Sequence, residues 1–201
     1  VELTIGCWEW AAYLGEKAEQ GVCVYLLPCR RIHRSQLPMT AKLGGVYVQS
    51  TICGLEARTQ GCDEAVFLNL EGRVAEGPGE NLFIVSDGVV RTNDKSESVL
   101  EGITRTSILE VARDLGFKTA VGPIRKEEFF AADEAFFTGT AVEVIPIVRF
   151  RDGSDPDQTV KDAAIGSAKP GPITLQLTKA FRDIVGGRNP KYERWLTYLR
   201  D

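Results

Sequence analysis

The stretch VAEGPGENLFIVSDGVVRTNDKSESVLEGIT, residues 74–104, decides the fold of this chain. A Gly/Pro turn flanked by two acids, Glu76 and Glu80, leads directly into Leu82-Phe83-Ile84-Val85. Four consecutive apolar residues after such a turn predict a strand that is buried on both faces. Asp87-Gly88 then predicts a two-residue hairpin turn into a second strand. The stretch therefore predicts a turn, a buried strand and a tight hairpin in direct succession.

The same stretch carries a candidate cation site and a candidate anion site. Glu76 precedes a buried strand, and a buried carboxylate there would need a cationic partner. That partner could be a protonated pyridine nitrogen of a ligand or an internal Arg or Lys. At the other end, Gly102-Ile103-Thr104 predicts a helix start whose free N–H groups could hold an anion. The two sites together suggest a ligand that carries both charges.

Composition and charge exclude several function classes. The 201 residues can bury one sizeable core or two small ones. A net charge of −4 argues against a nucleic-acid partner, which usually meets a basic face. No apolar run approaches the roughly 18 residues that cross a bilayer, so we expect no membrane partner. Five cysteines without CxxC spacing and a single histidine, His33, predict reduced thiols, a cytoplasmic protein and no metal site.

The pattern of elements predicts an α+β or α/β fold, with flanking helices around a mixed sheet that is partly closed into a barrel. We predict helices at Tyr13–Gln20, Val46–Gln60, Thr104–Leu115, Lys126–Ala132 and Pro172–Val185. We predict further strands at Val22–Leu27, Glu64–Leu70, Lys118–Val121, Glu134–Thr138 and Val142–Phe150. Pro28 is expected to end the first of these strands, and Pro146 to interrupt the last. Residues 152–171 are polar and rich in Gly and Pro, which favours a loop.

Lys42 is the first candidate for chemistry. It lies just before Gly44-Gly45, where bare backbone would let a flat ligand approach, and a desolvated lysine amine attacks carbonyls. Tyr47 follows five residues later and could reach the same ligand. An exposed loop lysine and a half-buried core tyrosine remain the alternatives. The basic run at residues 30–34 is expected to be a solvated surface loop, with contact to an acidic substrate group as its alternative.

Two threonines in glycine-led turns are candidates for holding a phosphate. Ile103 and Thr104 would offer backbone N–H groups and a hydroxyl at the predicted helix start. Thr140 and Ala141, after Gly139, would offer a second set. The alternative is a threonine at a helix N-terminus with no ligand.

Several segments together resemble one enzyme family in their order and spacing. These segments are KLGGVY (Lys42–Tyr47), VAEGPGENLFIV (Val74–Val85), LEGITR (Leu100–Arg105), ADEAFFTGTAVEVIPI (Ala132–Ile147) and GPITLQL (Gly171–Leu177). They resemble the branched-chain amino acid aminotransferases among the fold-type-IV pyridoxal-phosphate enzymes. GTAVE favours the branched-chain L-amino acid branch over the D-amino acid branch.

The resemblance implies a pyridoxal 5′-phosphate cofactor and a role for each matching residue. Lys42 would form the aldimine with the cofactor and move a proton during the reaction. The implied cofactor-binding residues are Tyr47 at the phenolic oxygen, Glu76 at the pyridine nitrogen, Leu100 at the ring, and Ile103, Thr104 and Thr140 at the phosphate. Tyr13 and the backbone at Ala141 would contact the substrate.

The implied reaction is transamination of leucine, isoleucine or valine with 2-oxoglutarate. The alternatives are another fold-type-IV enzyme, such as an aminodeoxychorismate lyase or a D-amino acid or (R)-amine transaminase, and a domain that is inactive alone. Residues 1–201 would form the C-terminal cofactor-binding domain, with the family's N-terminal domain absent from this sequence. The family also implies a homo-oligomer whose other partners are small amino and 2-oxo acids.

Overall fold

The structure, a computed structural model, describes residues 2–9 and 17–198. Its centre is one eight-stranded sheet. The strands are β1 (Val22–Arg30), β2 (Glu64–Leu68), β3 (Asn81–Ser86), β4 (Val89–Thr92), β5 (Lys118–Val121), β6 (Glu134–Gly139), β7 (Glu143–Asp152) and β8 (Lys161–Ala164). Their order is β2-β1-β7-β6-β3-β4-β5, and β8 adds to β7. Parallel pairing joins β1 to β2, β1 to β7 and β4 to β5, whereas the other pairs are antiparallel, so the predicted mixed sheet is confirmed.

Helices flank this sheet. They are α1 (Lys17–Gln20), α2 (Tyr47–Thr59), α3 (Ile103–Asp114), α4 (Lys126–Phe130) and α5 (Pro172–Val185), with 3-10 turns at Gly44–Val46, Lys95–Glu97 and Pro190–Trp195. The first half of the predicted helix Tyr13–Gln20, residues 13–16, lies outside the described residues, and the second half is the single turn α1. Among the described helices, none combines the length and the apolar character that a bilayer crossing needs.

Alternating side chains of the inner strands contribute to two different cores. On β3, Leu82 and Ile84 join the central core, whereas Phe83 and Val85 face the core under α3 and α5. The same alternation on β1 directs its inner residues to the central core and Tyr25 toward α2. Strand geometry, in which successive side chains point to opposite faces, explains this division. The structure confirms that Leu82–Val85 is buried on both faces.

The ends of the sheet approach each other at one residue, Val74. It forms isolated bridges to Leu68 at the end of β2 and to Ile124 beyond β5. Its N–H donates to the Ile124 carbonyl at 2.9 Å, and Asn93 Nδ2 donates to the Val74 carbonyl at 2.7 Å. This contact closes the sheet partly, in agreement with the predicted partial barrel.

The predicted hairpin turn is confirmed at Asp87-Gly88. Both residues have positive φ, 51° and 72°, as a type I′ turn between β3 and β4 requires. Glycine adopts this conformation without steric cost, and aspartate tolerates it better than most residues.

Both predictions about proline are wrong. β1 continues through Pro28 to Arg30, because its register against β2 shifts between Leu26 and Arg30 and the proline falls in this irregular part. β7 likewise runs unbroken through Pro146. β1 pairs with β7 only from Ile147 onward, so one side of Pro146 has no strand partner and a missing N–H is tolerated there.

Candidate functional site

Lys42 and Tyr47 are in direct contact. Lys42 Nζ donates to Tyr47 Oη at 2.5 Å and lies 4.9 Å from the centre of the tyrosine ring. The 3-10 turn at Gly44–Val46 separates the two residues and leads straight into α2, which begins at Tyr47. This turn folds the chain back so that an amine and a phenol five residues apart meet. The lysine is exposed, and the tyrosine is half-buried.

Glu76 is buried and hydrogen-bonded through both carboxylate oxygens. Oε1 accepts from Arg31 Nε at 3.0 Å and pairs with Arg31 Nη2 at 2.8 Å. Oε2 accepts from the Leu100 N–H at 2.9 Å and from Asn81 Nδ2 at 3.4 Å. Burial raises the pKa of Glu76 to about 7, while Arg31, the Leu100 N–H and the Lys42 ammonium oppose that rise. The carboxyl group can therefore change protonation near neutral pH when a neighbour changes.

Arg31 is the site residue that sequence reasoning missed. The prediction that residues 30–34 form a solvated loop is wrong at this position, because only 5% of Arg31 is exposed. Its guanidinium lies 5.0 Å from the centre of the Phe67 ring, and its backbone N–H donates to the Leu68 carbonyl at 2.8 Å. The requirement for a cation beside Glu76 was visible in the sequence, but nothing distinguished Arg31 from its basic neighbours.

The predicted amine and the predicted carboxylate line one cavity. Lys42, Tyr47, Glu76 and Leu100 all border a narrow space of about 30 Å³. A wider cleft of about 470 Å³ lies beside it and is also bordered by Lys42 and Tyr47, together with Ala141. Its volume is in the range of small-molecule sites, about 300–1,000 Å³.

Buried polar groups border the wider cleft, among them Ser50, Glu64 and Glu80. Ser50 is only 5% exposed, and its hydroxyl has no hydrogen-bond partner among the described residues. Glu80 accepts from the Gly79 N–H at 2.9 Å and so braces the turn. Burial and the nearby Glu64 raise the pKa of Glu80 to about 8. Glu80 is therefore mostly protonated at neutral pH.

The three residues predicted to hold a phosphate border a different cleft. Ile103, Thr104 and Thr140 line a space of about 530 Å³ at the start of α3. Thr104 is buried, whereas Ile103 is 76% exposed. The residue before the helix is Gly102, which has no side chain to cap it, so the first N–H groups are available for an anion.

Asn81 connects the two halves of the candidate site. Its amide nitrogen donates to the Leu100 carbonyl at 2.5 Å and to Glu76 at 3.4 Å, and its Oδ1 accepts from the Gly102 N–H at 3.2 Å. One side chain thus ties the buried carboxylate to the segment that leads into α3.

Two remaining predictions concern Tyr13 and metals. Tyr13 lies outside the described residues. His33 occupies a surface turn, where its Nδ1 is 2.6 Å from Ser35 Oγ. Within residues 2–9 and 17–198, no three His, Cys, Asp or Glu side chains are grouped so that they could hold a metal ion.

Comparison with known proteins identifies relatives along the whole chain. The family described as amino-transferase class IV matches residues 7–150. Over all 201 residues the chain is 41% identical to the branched-chain-amino-acid aminotransferase of Pseudomonas aeruginosa, of which it covers 62%. It is 35% identical to the protein of the same name from Escherichia coli K12, over 97% of this chain and 60% of that one.

Solved structures agree with these relatives. A T.th. branched-chain amino acid aminotransferase, solved with pyridoxamine 5′-phosphate, superposes with a TM-score of 0.84 at 42% identity, over 95% of this chain and 59% of that one. The Escherichia coli enzyme superposes with a TM-score of 0.86 at 35% identity, over 95% of this chain and 60% of that one. The resemblance and the fold class predicted from the sequence are confirmed. The chain spans about 60% of the length of the relatives it matches.

Proposed function

Because the chain belongs to the class IV aminotransferase family, we propose that it binds pyridoxal 5′-phosphate and transfers the amino group of leucine, isoleucine or valine to 2-oxoglutarate. The observation that carries this proposal is the cavity bordered by both the Lys42 amine and the Glu76 carboxylate. The names of the relatives support the branched-chain substrates. We also propose that residues 1–201 form the cofactor-binding domain.

The residues present have the chemistry that this cofactor requires. Lys42 supplies an amine for the aldehyde carbon, and Tyr47 a phenol for the ring oxygen. Glu76 supplies a buried acceptor for the ring nitrogen, while Leu100 would cover the ring. The uncapped start of α3 suits a phosphate, which Ile103, Thr104 and Thr140 would hold.

When bound, the cofactor supplies an electron sink for the bond that breaks at the amino acid Cα. Lys42 Nζ would remove the proton from the substrate Cα and return it to the C4′ carbon of the cofactor. Tyr47 Oη orients this amine, since it already accepts a hydrogen bond from Nζ. The backbone at Ala141, which borders the same cleft as Lys42, would hold the substrate carboxylate.

Arg31 gives Glu76 the charge that this role requires. Burial alone favours the neutral acid, which would be a poor acceptor for a ring N–H. The Arg31 guanidinium and the Leu100 N–H both oppose burial and stabilise the carboxylate. A protonated ring nitrogen beside Glu76 would add a further positive charge and lower its pKa again. Arg31 and a protonated ring nitrogen together would therefore favour the ionised form of Glu76 that holds the ring proton in place.

Covalent labelling tests the role of Lys42. The chain would be incubated with pyridoxal 5′-phosphate, reduced with borohydride and mapped by peptide mass spectrometry. We expect the label on Lys42, its loss in Lys42→Ala, and its retention in the control Lys118→Ala, which removes an exposed lysine of β5. A reducible adduct that persists in Lys42→Ala would show that another residue anchors the cofactor.

Amino donors test the substrate assignment. With 2-oxoglutarate as acceptor, we expect glutamate to form from L-leucine and not from D-alanine or an (R)-amine. A preference for D-alanine or the amine would move the chain to another branch of the same fold. Measuring cofactor binding on the same samples separates a wrong substrate from a missing cofactor.

We further propose that the chain forms a homo-oligomer in the cytoplasm. Val48, Ile52 and Leu55 are 61%, 60% and 55% exposed and lie at helical spacing on one face of α2, which supports association through that face. The five free thiols support a reducing compartment. Sedimentation would test the homo-oligomer. We expect the double variant Val48→Ser/Ile52→Ser to have a lower molar mass than the parent chain. A parent chain that is already monomeric, like the variant, would refute the proposal.

A further inference from the structure

Two cysteines on separate elements place their sulfur atoms in contact. Cys23 lies on β1, Cys62 lies between α2 and β2, and their Sγ atoms are 2.7 Å apart. Both are free thiols. Because a disulfide bond measures about 2.0 Å, the sulfurs would have to approach by only about 0.7 Å to bond. The mechanism proposed above does not use either thiol.

The backbone holds the two thiols in this position. The Asp63 N–H donates to the Cys23 carbonyl at 2.9 Å, and the Cys23 N–H donates to Asp63 Oδ2 at 2.9 Å. The next residues, Val24 and Glu64, are partners in the parallel ladder of β1 and β2. The contact is therefore built into strand pairing and does not depend on two flexible side chains meeting by chance.

The surroundings give the two sulfurs different chemical roles. The hydrogen bond with Cys62 lowers the pKa of Cys23 against the effect of burial, and the Arg149 guanidinium lowers it further. The hydrogen bond with Cys23 and burial both raise the pKa of Cys62. Cys23 is half-buried, so a small oxidant can reach it, whereas Cys62 is only 4% exposed. Cys23 is suited to react first and Cys62 to resolve the product.

We propose that Cys23 and Cys62 form a redox-active pair that closes to a disulfide with a hydroperoxide and reopens with a dithiol. The Cys23 thiolate attacks the peroxide oxygen, which breaks the O–O bond, gives a sulfenic acid and releases water or an alcohol after protonation. The Cys62 sulfur then attacks the Cys23 sulfur, forms the S–S bond and expels the hydroxyl as water, using the thiol proton. The two thiols are oxidised and the hydroperoxide is reduced.

Formation of this disulfide would constrain the segment that carries Lys42. Residues 24–61, which lie between the two cysteines, include Lys42, Tyr47 and the whole of α2. A disulfide would join the ends of that segment and restrict its unfolded states. Oxidation is therefore expected to stabilise the fold whether or not the chain binds a cofactor, so the test is independent of the proposed function.

The test uses the full chain with Cys7, Cys29 and Cys53 changed to Ser, which leaves only the proposed pair. After treatment with stoichiometric hydrogen peroxide, we expect both thiols to disappear and the intact mass to fall by about 2 Da, the two hydrogens lost on disulfide formation. Peptide mapping should recover one cross-linked pair that contains Cys23 and Cys62. The thermal midpoint should rise by roughly 5–10 °C and return on adding dithiothreitol.

Two single-cysteine variants serve as matched controls. Cys23→Ser and Cys62→Ser should each abolish both the cross-link and the rise in midpoint, since either change leaves one thiol. The unmodified chain is mapped in parallel, in case the triple variant does not fold. Thiols that survive oxidation in the folded chain, a cross-link to Cys29 or Cys53, or oxidation of Cys23 to a sulfinic acid without a cross-link would each overturn the proposal.

Discussion

Glu80 combines deep burial with a neighbouring acid, and this combination fixes how its protonation depends on folding. Its pKa rises from an ordinary value of 4.5 to about 8, first through burial and then through Glu64. Between these two values the native state keeps a proton that the unfolded chain releases. Stability from this group is therefore complete below about pH 4.5 and is lost as the pH rises through 8. Glu76, with its pKa raised to about 7, contributes in the same direction.

The variant Glu80→Gln tests this linkage, because glutamine is neutral at every pH. We expect the free energy of unfolding to fall less steeply between pH 5 and 8 in the variant than in the parent chain. Relative to the parent chain, the variant should be on the order of 3–4 kcal/mol more stable at pH 8 than it is at pH 5, given about 1.4 kcal/mol for each unit of pKa shift over this range. Urea denaturation at a series of pH values measures this change. Parallel pH profiles for the two chains would contradict the assignment.

Glu128→Gln is the matched control with the opposite sign. Hydrogen bonds from Arg91 and from the Arg125 N–H lower the pKa of Glu128 to about 2. Its contribution is therefore present above pH 4.5 and lost as the pH falls toward 2. The control should lose stability at neutral pH and leave the slope between pH 5 and 8 unchanged.

Single residues also show how far the sequence could predict the candidate site. The sequence indicated that Lys42 and Tyr47 could reach the same ligand, because they flank a glycine turn at short spacing. It also indicated that Glu76 needed a cation, since buried carboxylates are rarely unpaired. It did not identify Arg31, because that contact joins residues 45 positions apart in the chain. Periodicity and local spacing contain no information about which distant side chain supplies a charge.

Among the helices, α5 is anchored by a buried acid from the sheet. Glu134, the first residue of β6, accepts from the Ile173 N–H at 3.0 Å and from the Thr174 N–H at 2.7 Å. Its Oε2 also accepts from the Thr174 hydroxyl at 2.6 Å. The carboxylate satisfies two N–H groups that the first helical turn leaves without acceptors, and its negative charge suits the positive end of the helix.

Glu134→Gln should weaken this anchor. The amide group offers only one acceptor oxygen and no charge, and its NH2 would face other donors. We expect a loss of about 1–3 kcal/mol in the free energy of unfolding, measured by urea denaturation. Glu143→Gln is the control, because the Glu143–Arg182 pair is well exposed and should contribute less than about 1 kcal/mol. Equal losses in the two variants would mean that the contacts of Glu134 contribute no more than a surface pair.

Whole elements were predicted with uneven success, for identifiable reasons. The span predicted for α5, Pro172–Val185, matches the structure, because a proline suits the first turn and a regular apolar face follows. β8 was missed inside the polar segment at residues 152–171. It is an edge strand whose side chains are largely exposed, and it pairs with β7 partly through the Arg149–Asp162 ion pair. Such a strand has no hydrophobic alternation to detect.

For the molecule as a whole, the sequence predicted the type of sheet but not its strand order. Alternation of short apolar runs with irregularly placed helices indicated a mixed sheet with flanking helices. The path β2-β1-β7-β6-β3-β4-β5 depends on pairings such as β1 with β7, which lie more than 100 residues apart. Local patterns cannot rank such distant partners. The β3–β4 hairpin, by contrast, identified its own partner from the sequence through its Asp-Gly turn.

The isolated bridges at Val74 have a consequence for where this protein opens locally. Extended ladders join the central strands. Residues 73–76 are bonded to Phe67 and Asn69 through several backbone hydrogen bonds, but among the described residues their bridge toward the β5 end is Val74–Ile124 alone, with the Asn93 amide bracing Val74. Local fluctuations should therefore break the contact at Val74 before they open the central strands. In deuterated water, the Val74 amide should exchange its proton sooner than the amides of Phe83 or Phe136. Equal protection of all three amides from exchange would mean that the contact at Val74 breaks only when the entire domain unfolds.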